Sequence, residues 1–143
     1  MIALDTNILV YARREELPEH DVAAGLLRHL AEGSQIWFLP WPCVYEFLRV
    51  VTHPRVFDPP TDLEVALEDL ASLLRSPSLV LIGEGRGHFQ RLREAATDAR
   101  VFGNLVHDAH IAALCLEHGV TELLTRDRDF GRFKGVATRD PFE

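Results

Sequence analysis

This sequence predicts an α/β fold: a mainly parallel sheet of four to five strands, covered by helices on both faces. Short apolar runs alternate with helical periodicities along the chain, and the runs are too uniformly apolar to leave one face in water. A third observation places a site. The runs "IAL" and "ELLT" each stop at or near an aspartate, Asp5 and Asp127. A parallel sheet of this kind receives its ligands outside the carboxyl ends of its strands.

The elements follow in order. Residues 2–4 read as a buried strand, with a helix from Thr6. Over 19–32, Val22, Ala23, Leu26, Leu27 and Leu30 share one helical face, and Gly33 is a stop. "QIWFLP" is a second strand, and a helix runs from Pro42, a good first helical residue, to Thr52. "HPRVFDPP" (53–60) is loop. Thr61 and Glu64 form a T-x-x-E capping box for a helix that would bury Leu63, Leu67, Leu70 and Leu74. "LVLI" (79–82) is a third strand, and Phe89, Leu92, Ala96 and Ala99 mark the next helix. "GN" at 103–104 breaks it. A further helix runs from Leu105 to His118, closed by Gly119. "TELLT" is the fourth strand and "VAT" a candidate fifth.

The bulk numbers bound the function. At 143 residues a single domain spanning 1–143 is expected, and 47% hydrophobic with 26% charged content is that of a soluble globular protein. No apolar stretch suffices to cross a membrane and no signal peptide is visible, so a cytoplasmic location is expected. Cys43 and Cys115 match no zinc or redox spacing and read as buried thiols. A net charge of −7 argues against broad attraction to nucleic acid, but acids clustered round a divalent cation would contribute to that total. Basic character comes from fourteen arginines and one lysine, Lys134, and arginine suits bidentate phosphate contacts.

Two helical acids join the strand-end pair. Leu105, Ala109, Ala112, Ala113 and Leu116 define the buried arc of the late helix, and Asp108 lies on its flank. His107, His110, Glu117 and His118 fall on the polar side. A carboxylate beside a buried arc needs a partner, a cation or an arginine. Glu46 lies at the margin of the apolar face formed by Cys43, Phe47, Val50 and Val51; a surface ion pair with Arg49 is the competing reading.

"ALDTN", Glu46 after an apolar strand, "HDAHIAAL" and "LLTRDRDF", in that order over nearly the whole chain, resemble the PIN-domain ribonucleases. The likeness is greatest to the VapC toxins of bacterial toxin–antitoxin pairs. The resemblance implies a PIN-like three-layer α/β/α sandwich and a metal-dependent endoribonuclease. Asp5, Glu46, Asp108 and Asp127 would be its catalytic, metal-binding acids, holding Mg2+ or Mn2+. Asp129 is a candidate fifth acid, or else the cap of the "FGRF" turn. Thr6, Asn7 and Thr125 would orient carboxylates or water. Arg13, Arg14, Arg126, Arg128 and Arg132, with Lys134 and Arg139, are candidate contacts to the RNA backbone. A VapB-like antitoxin and a homodimer are also implied.

Other readings fit less well. A zinc site through His107 and His110 lacks a suitably spaced third ligand. The glycines of "LIGEGRGHF" miss the third position of a dinucleotide loop. A haloacid-dehalogenase-type phosphatase needs an acid where Asn7 stands, and its lysine should precede the last acidic motif, whereas Lys134 follows it. A non-catalytic RNA- or protein-binding module on the same scaffold is the alternative from another class.

Overall fold

The computed structural model describes residues 1–143. Its elements in chain order are β1 (Ile2–Leu4), α1 (Thr6–Arg13), α2 (His20–Glu32), β2 (Trp37–Pro40), α3 (Trp41–Val51), α4 (Leu63–Leu74), β3 (Leu79–Ile82), α5 (His88–Asp98), α6 (Leu105–Glu117), β4 (Glu122–Leu124) and β5 (Ala137–Arg139), with a 3-10 turn at Arg128–Arg132 before β5. The five strands form one sheet in the order β3-β2-β1-β4-β5, every pair parallel. No helix is long and apolar enough to cross a membrane.

Strand β1 is central. It pairs with β2 on one side (Ile2 beside Trp37) and with β4 on the other (Leu4 beside Leu124). The path crosses from β1 through β2 to β3, then returns over the sheet to β4. With right-handed crossovers this puts α5 and α6 on the face opposite α1 to α4. The sheet thus reverses its order between β1 and β4, and a cleft opens at the carboxyl ends there. Trp37, Phe47, Leu4, Ile8, Leu39 and Ile82 are among the largest fully buried side chains.

Several local expectations change in three dimensions. On α4 the buried stripe is Ala66 and Leu70, while Leu63 and Leu74 are more than half exposed. The leucine periodicity is real, but the stripe facing the core is rotated from it. No capping box forms: α4 starts at Leu63 with Asp62 as N-cap, without a side-chain bond, so Thr61 stands one position too early, and its Oγ1 accepts from Arg14 Nη1 at 3.1 Å. Val22 on α2 and Phe89 on α5 are exposed. Helix α6 buries Ala109 and the whole run from Ile111 to Cys115, so it is a central helix rather than one with a broad wet face. Gly119 ends it with φ +71°, a left-handed conformation that suits glycine.

Candidate active site

The site begins at the end of β1. Asp5 is the N-cap of α1: its Oδ1 accepts from the Thr6 amide at 2.7 Å, so the carboxylate both starts the helix and lies at the sheet edge. Its Oδ2 accepts from Thr125 Oγ1 at 2.6 Å and from Asn7 Nδ2 at 3.1 Å. The Asp5 amide donates to the Leu124 carbonyl at 3.0 Å, which fixes the end of β1 against the end of β4.

Thr125 links the two strand ends. Besides donating to Asp5, its hydroxyl accepts from Asn7 Nδ2 at 3.2 Å and from the Asp127 amide at 2.9 Å. Asp127 Oδ1 in turn accepts from the Asp129 amide at 2.9 Å. Asp127 is therefore the residue that caps the 3-10 turn, and the capping alternative for Asp129 is corrected: Asp129 is capped rather than capping.

The helices bring the remaining acids. Glu46, in the middle of α3, accepts from Thr6 Oγ1 at 3.0 Å through one oxygen and lies 3.7 Å from Arg49 through the other. The surface pair with Arg49 exists, but so does a link to the Asp5 region. Asp108, in the first turn of α6, shares a cleft with Asp5, Asn7, Glu46, Asp127 and Phe130. Oxygens of Asp108, Asp127 and Asp129 lie within 4.8 Å of one another.

The electrostatics of this cleft are unbalanced. Burial, and to a smaller extent Glu46 and Asp127, push Asp5 up to about 6 despite its hydrogen bonds. Asp108 is pushed up to about 7, first by burial and then by Asp127, Asp5, Asp129 and Glu46, with no hydrogen bond opposing the shift. Asn7 Oδ1 is also buried without a partner. Oxygen donors crowded together, one unsupported by any donor, suit a hard divalent cation. The buried thiols of Cys43 and Cys115 flank the site; burial above all raises both, holding them as thiols.

The arginines divide. Arg13 makes a two-pronged pair with Asp69 at 2.5 and 2.7 Å. Arg14 bonds Glu16, Thr61 and the Pro59 carbonyl while stacked 4.3 Å from the Phe57 ring. Both are engaged by the fold, Arg13 by Asp69 and Arg14 by the 59–61 loop. Arg126 pairs with Glu19, and Arg139 with Glu122. Arg128 is 94% exposed, and Arg132 and Lys134 are also exposed.

The parallel sheet carries its acids on its carboxyl edge, as α/β sites do, and the PIN-domain family model matches residues 2–136. Ribonuclease VapC48 of Mycobacterium tuberculosis (strain ATCC 25618 / H37Rv) is 38% identical over 138 residues, covering 96% of this chain and 95% of that protein. Ribonuclease VapC43 of the same strain is 38% identical over 143 residues, covering 100% and 97%. The chain belongs to the VapC ribonuclease family of PIN domains. Its fold is shared by VapBC2 from Rickettsia felis, solved with a DNA fragment from its promoter, at TM-score 0.70 and 22% identity over 97% of this chain and 98% of that one.

Proposed function

We propose that the protein is a metal-dependent endoribonuclease, the toxin of a VapBC-type pair, with Asp5, Glu46, Asp108 and Asp127 as its catalytic acids. The observation that carries this is the convergence of these acids in one cleft, with Asp108 raised to about 7 and unsupported by any donor. Mg2+ or Mn2+ held there would activate a water and stabilise the charge that develops on the phosphodiester. Asp5, Asp108 and Asp127 would be the direct ligands and Glu46 would complete the set, all four lining one cleft; oxygens of Asp108, Asp127 and Asp129 lie within 4.8 Å of one another, so Asp129 would join them.

The chain's own residues supply the order. Thr125, Thr6 and Asn7 fix Asp5 and Glu46, so their oxygens need little rearrangement to receive a cation. Asp127 commits one oxygen to its turn, leaving the other free. Arg128 and Arg132, exposed on the turn that Asp127 caps, would hold the RNA backbone, Arg128 releasing the exposed Glu143 that lies 3.7 Å from it. The VapBC likeness supports a VapB-like antitoxin as inhibitor, and a carboxylate-lined cleft would accept an arginine from it. A homodimer in the cytoplasm completes the proposal; exposed Tyr45 and Phe102 are suited to an interface.

The test is cleavage of total cellular RNA with Mg2+, Mn2+ or excess chelator, comparing the wild type with Asp5→Asn and Asp108→Asn. Discrete fragments that require both metal and the acids are expected. Undiminished cleavage by either variant would refute the assignment.

A further inference from the structure

We propose that Glu84, His88 and His110 form a second metal site, for a transition-metal cation of the Zn2+ type, where α6 meets α5 and the β3–α5 loop. Residues 108 and 110 stand roughly 200° apart round a helix, so α6 would serve both sites; His110 also borders a pocket that it shares with Glu46 and Arg49.

Ligand atoms of these three residues lie within 4.8 Å of one another. His110 Nε2 is 2.5 Å from Glu84 Oε1, and the His88 and His110 rings meet edge-on with centroids 5.4 Å apart. Around a tetrahedral ion with bonds of about 2.0–2.1 Å, ligand atoms are about 3.3 Å apart. Rotation of the exposed Glu84 side chain can open its close approach to His110 and bring the group to that spacing.

The tautomer of His88 is fixed from behind. His88 Nδ1 meets Glu117 Oε2 at 3.1 Å, and both side chains are only 13% exposed. An ionised carboxylate only accepts, so Nδ1 carries the proton and Nε2 keeps its lone pair for a cation. By the same rule His110 Nε2 donates its proton to Glu84 in the metal-free protein, and a cation takes that nitrogen by releasing the proton. Carboxylate–histidine–metal arrangements use this device to orient the ligand. Glu117 is itself held by the Gly85 amide at 2.7 Å; a Cβ at Gly85 would lie 2.5 Å from Glu117 Oε1, so the glycine permits the close approach. Glu117 and His118 therefore join α6 to the β3–α5 loop, with His118 Nε2 2.7 Å from the Gly83 carbonyl. Glu117 is largely buried in that junction, while His118 stays exposed.

Two imidazoles and one carboxylate are a borderline donor set, favouring Zn2+ over Mg2+, with water in the fourth position. His110 thus finds its partners on the β3–α5 loop and α5 rather than in His107. A bound ion would clasp that loop to α6.

The test is calorimetric titration of the chelator-stripped full chain with Zn2+, repeated in an Asp5→Asn/Asp108→Asn variant that disables the acidic cleft. The wild type should bind one equivalent at this site besides any taken by the acidic cleft, and the double-Asn variant should keep one equivalent. His88→Ala and His110→Ala should each weaken that event at least ten-fold, and Glu117→Gln about ten-fold. Zn2+ should also raise the melting temperature of the double-Asn protein but not of its His110→Ala derivative. Co2+ should give a visible ligand-field spectrum that His110→Ala removes. Circular dichroism checks each variant; if His88→Ala does not fold, His110→Ala and Glu84→Gln decide. The proposal is overturned if the wild type shows no saturable Zn2+ binding, if the histidine variants keep full affinity, or if the double-Asn change alone abolishes binding. RNA cleavage enters none of these readouts, so this site and the nuclease assignment fail separately.

Discussion

Replacing Asp108 by Asn should stabilise the metal-free protein at alkaline pH while removing its catalysis. Asp108 has its proton affinity raised from 3.8 to about 7 by burial and by neighbouring acids. An acid raised on folding binds its proton more tightly in the native chain than in the unfolded one. Its ionisation therefore costs folding free energy, nothing below about pH 4 and the full amount above about pH 7. At about 1.4 kcal/mol per pH unit the rise corresponds to roughly 4 kcal/mol. Water and salt screen this half-buried side chain, which reduces the expected cost to about 1–2 kcal/mol. Asn keeps the size, drops the charge and breaks no hydrogen bond. Thermal unfolding with chelator at pH 8 should place the variant about 4–8 °C above the wild type. The gain should vanish at pH 4. Mg2+ should raise the melting temperature of the wild type and have far less effect on the variant. A variant no more stable than the wild type at pH 8 in chelator would refute the electrostatic account of this cleft.

Thr125→Val removes a hydroxyl that serves Asp5, Asn7 and the Asp127 amide. It should lower kcat for RNA cleavage about 10–100-fold, leave KM nearly unchanged, and cost about 1–3 kcal/mol of stability by chemical denaturation. Arg128→Ala with Arg132→Ala should weaken RNA binding with little sequence dependence. For single-stranded RNA the log–log salt slope should flatten by roughly 0.7 for each phosphate no longer neutralised. Arg14→Ala should cost about 1–2 kcal/mol, since the side chain bonds the 59–61 loop and stacks on Phe57, and cleavage measured well below the melting temperature should be unchanged.

Much of the site was legible because its residues obey local rules. Asp5 and Asp127 stand where apolar strands end, and Asp108 breaks a buried arc at a place where a carboxylate needs company. Glu46 was ambiguous for a physical reason: its two oxygens do two things, one facing Thr6 and the other Arg49. The misreadings came from register and from distant competition. The Thr61–Glu64 pattern is a sound local cap, but the helix starts at Leu63 with Asp62 as its N-cap, which puts the threonine one position too early. The α4 leucines repeat correctly, yet which stripe faces inward is set by α3 and the sheet, not by α4. His110 has Glu84 26 residues away, a distance at which helical spacing carries no signal.

The hydroxyl that fixes Asp5 lies 120 residues further along the chain. A ribosome adding roughly 5–20 residues per second makes β1 first and reaches Thr125 some 6–24 s later. Until β4 has left the exit tunnel, Asp5 has neither the Thr125 hydroxyl nor Asp127, and β1 lacks the neighbour that makes it a central strand. The order of synthesis keeps the acids apart until β4 has been made. Only then does pairing with β4 bring Asp5 and Asp127 to one edge of the sheet.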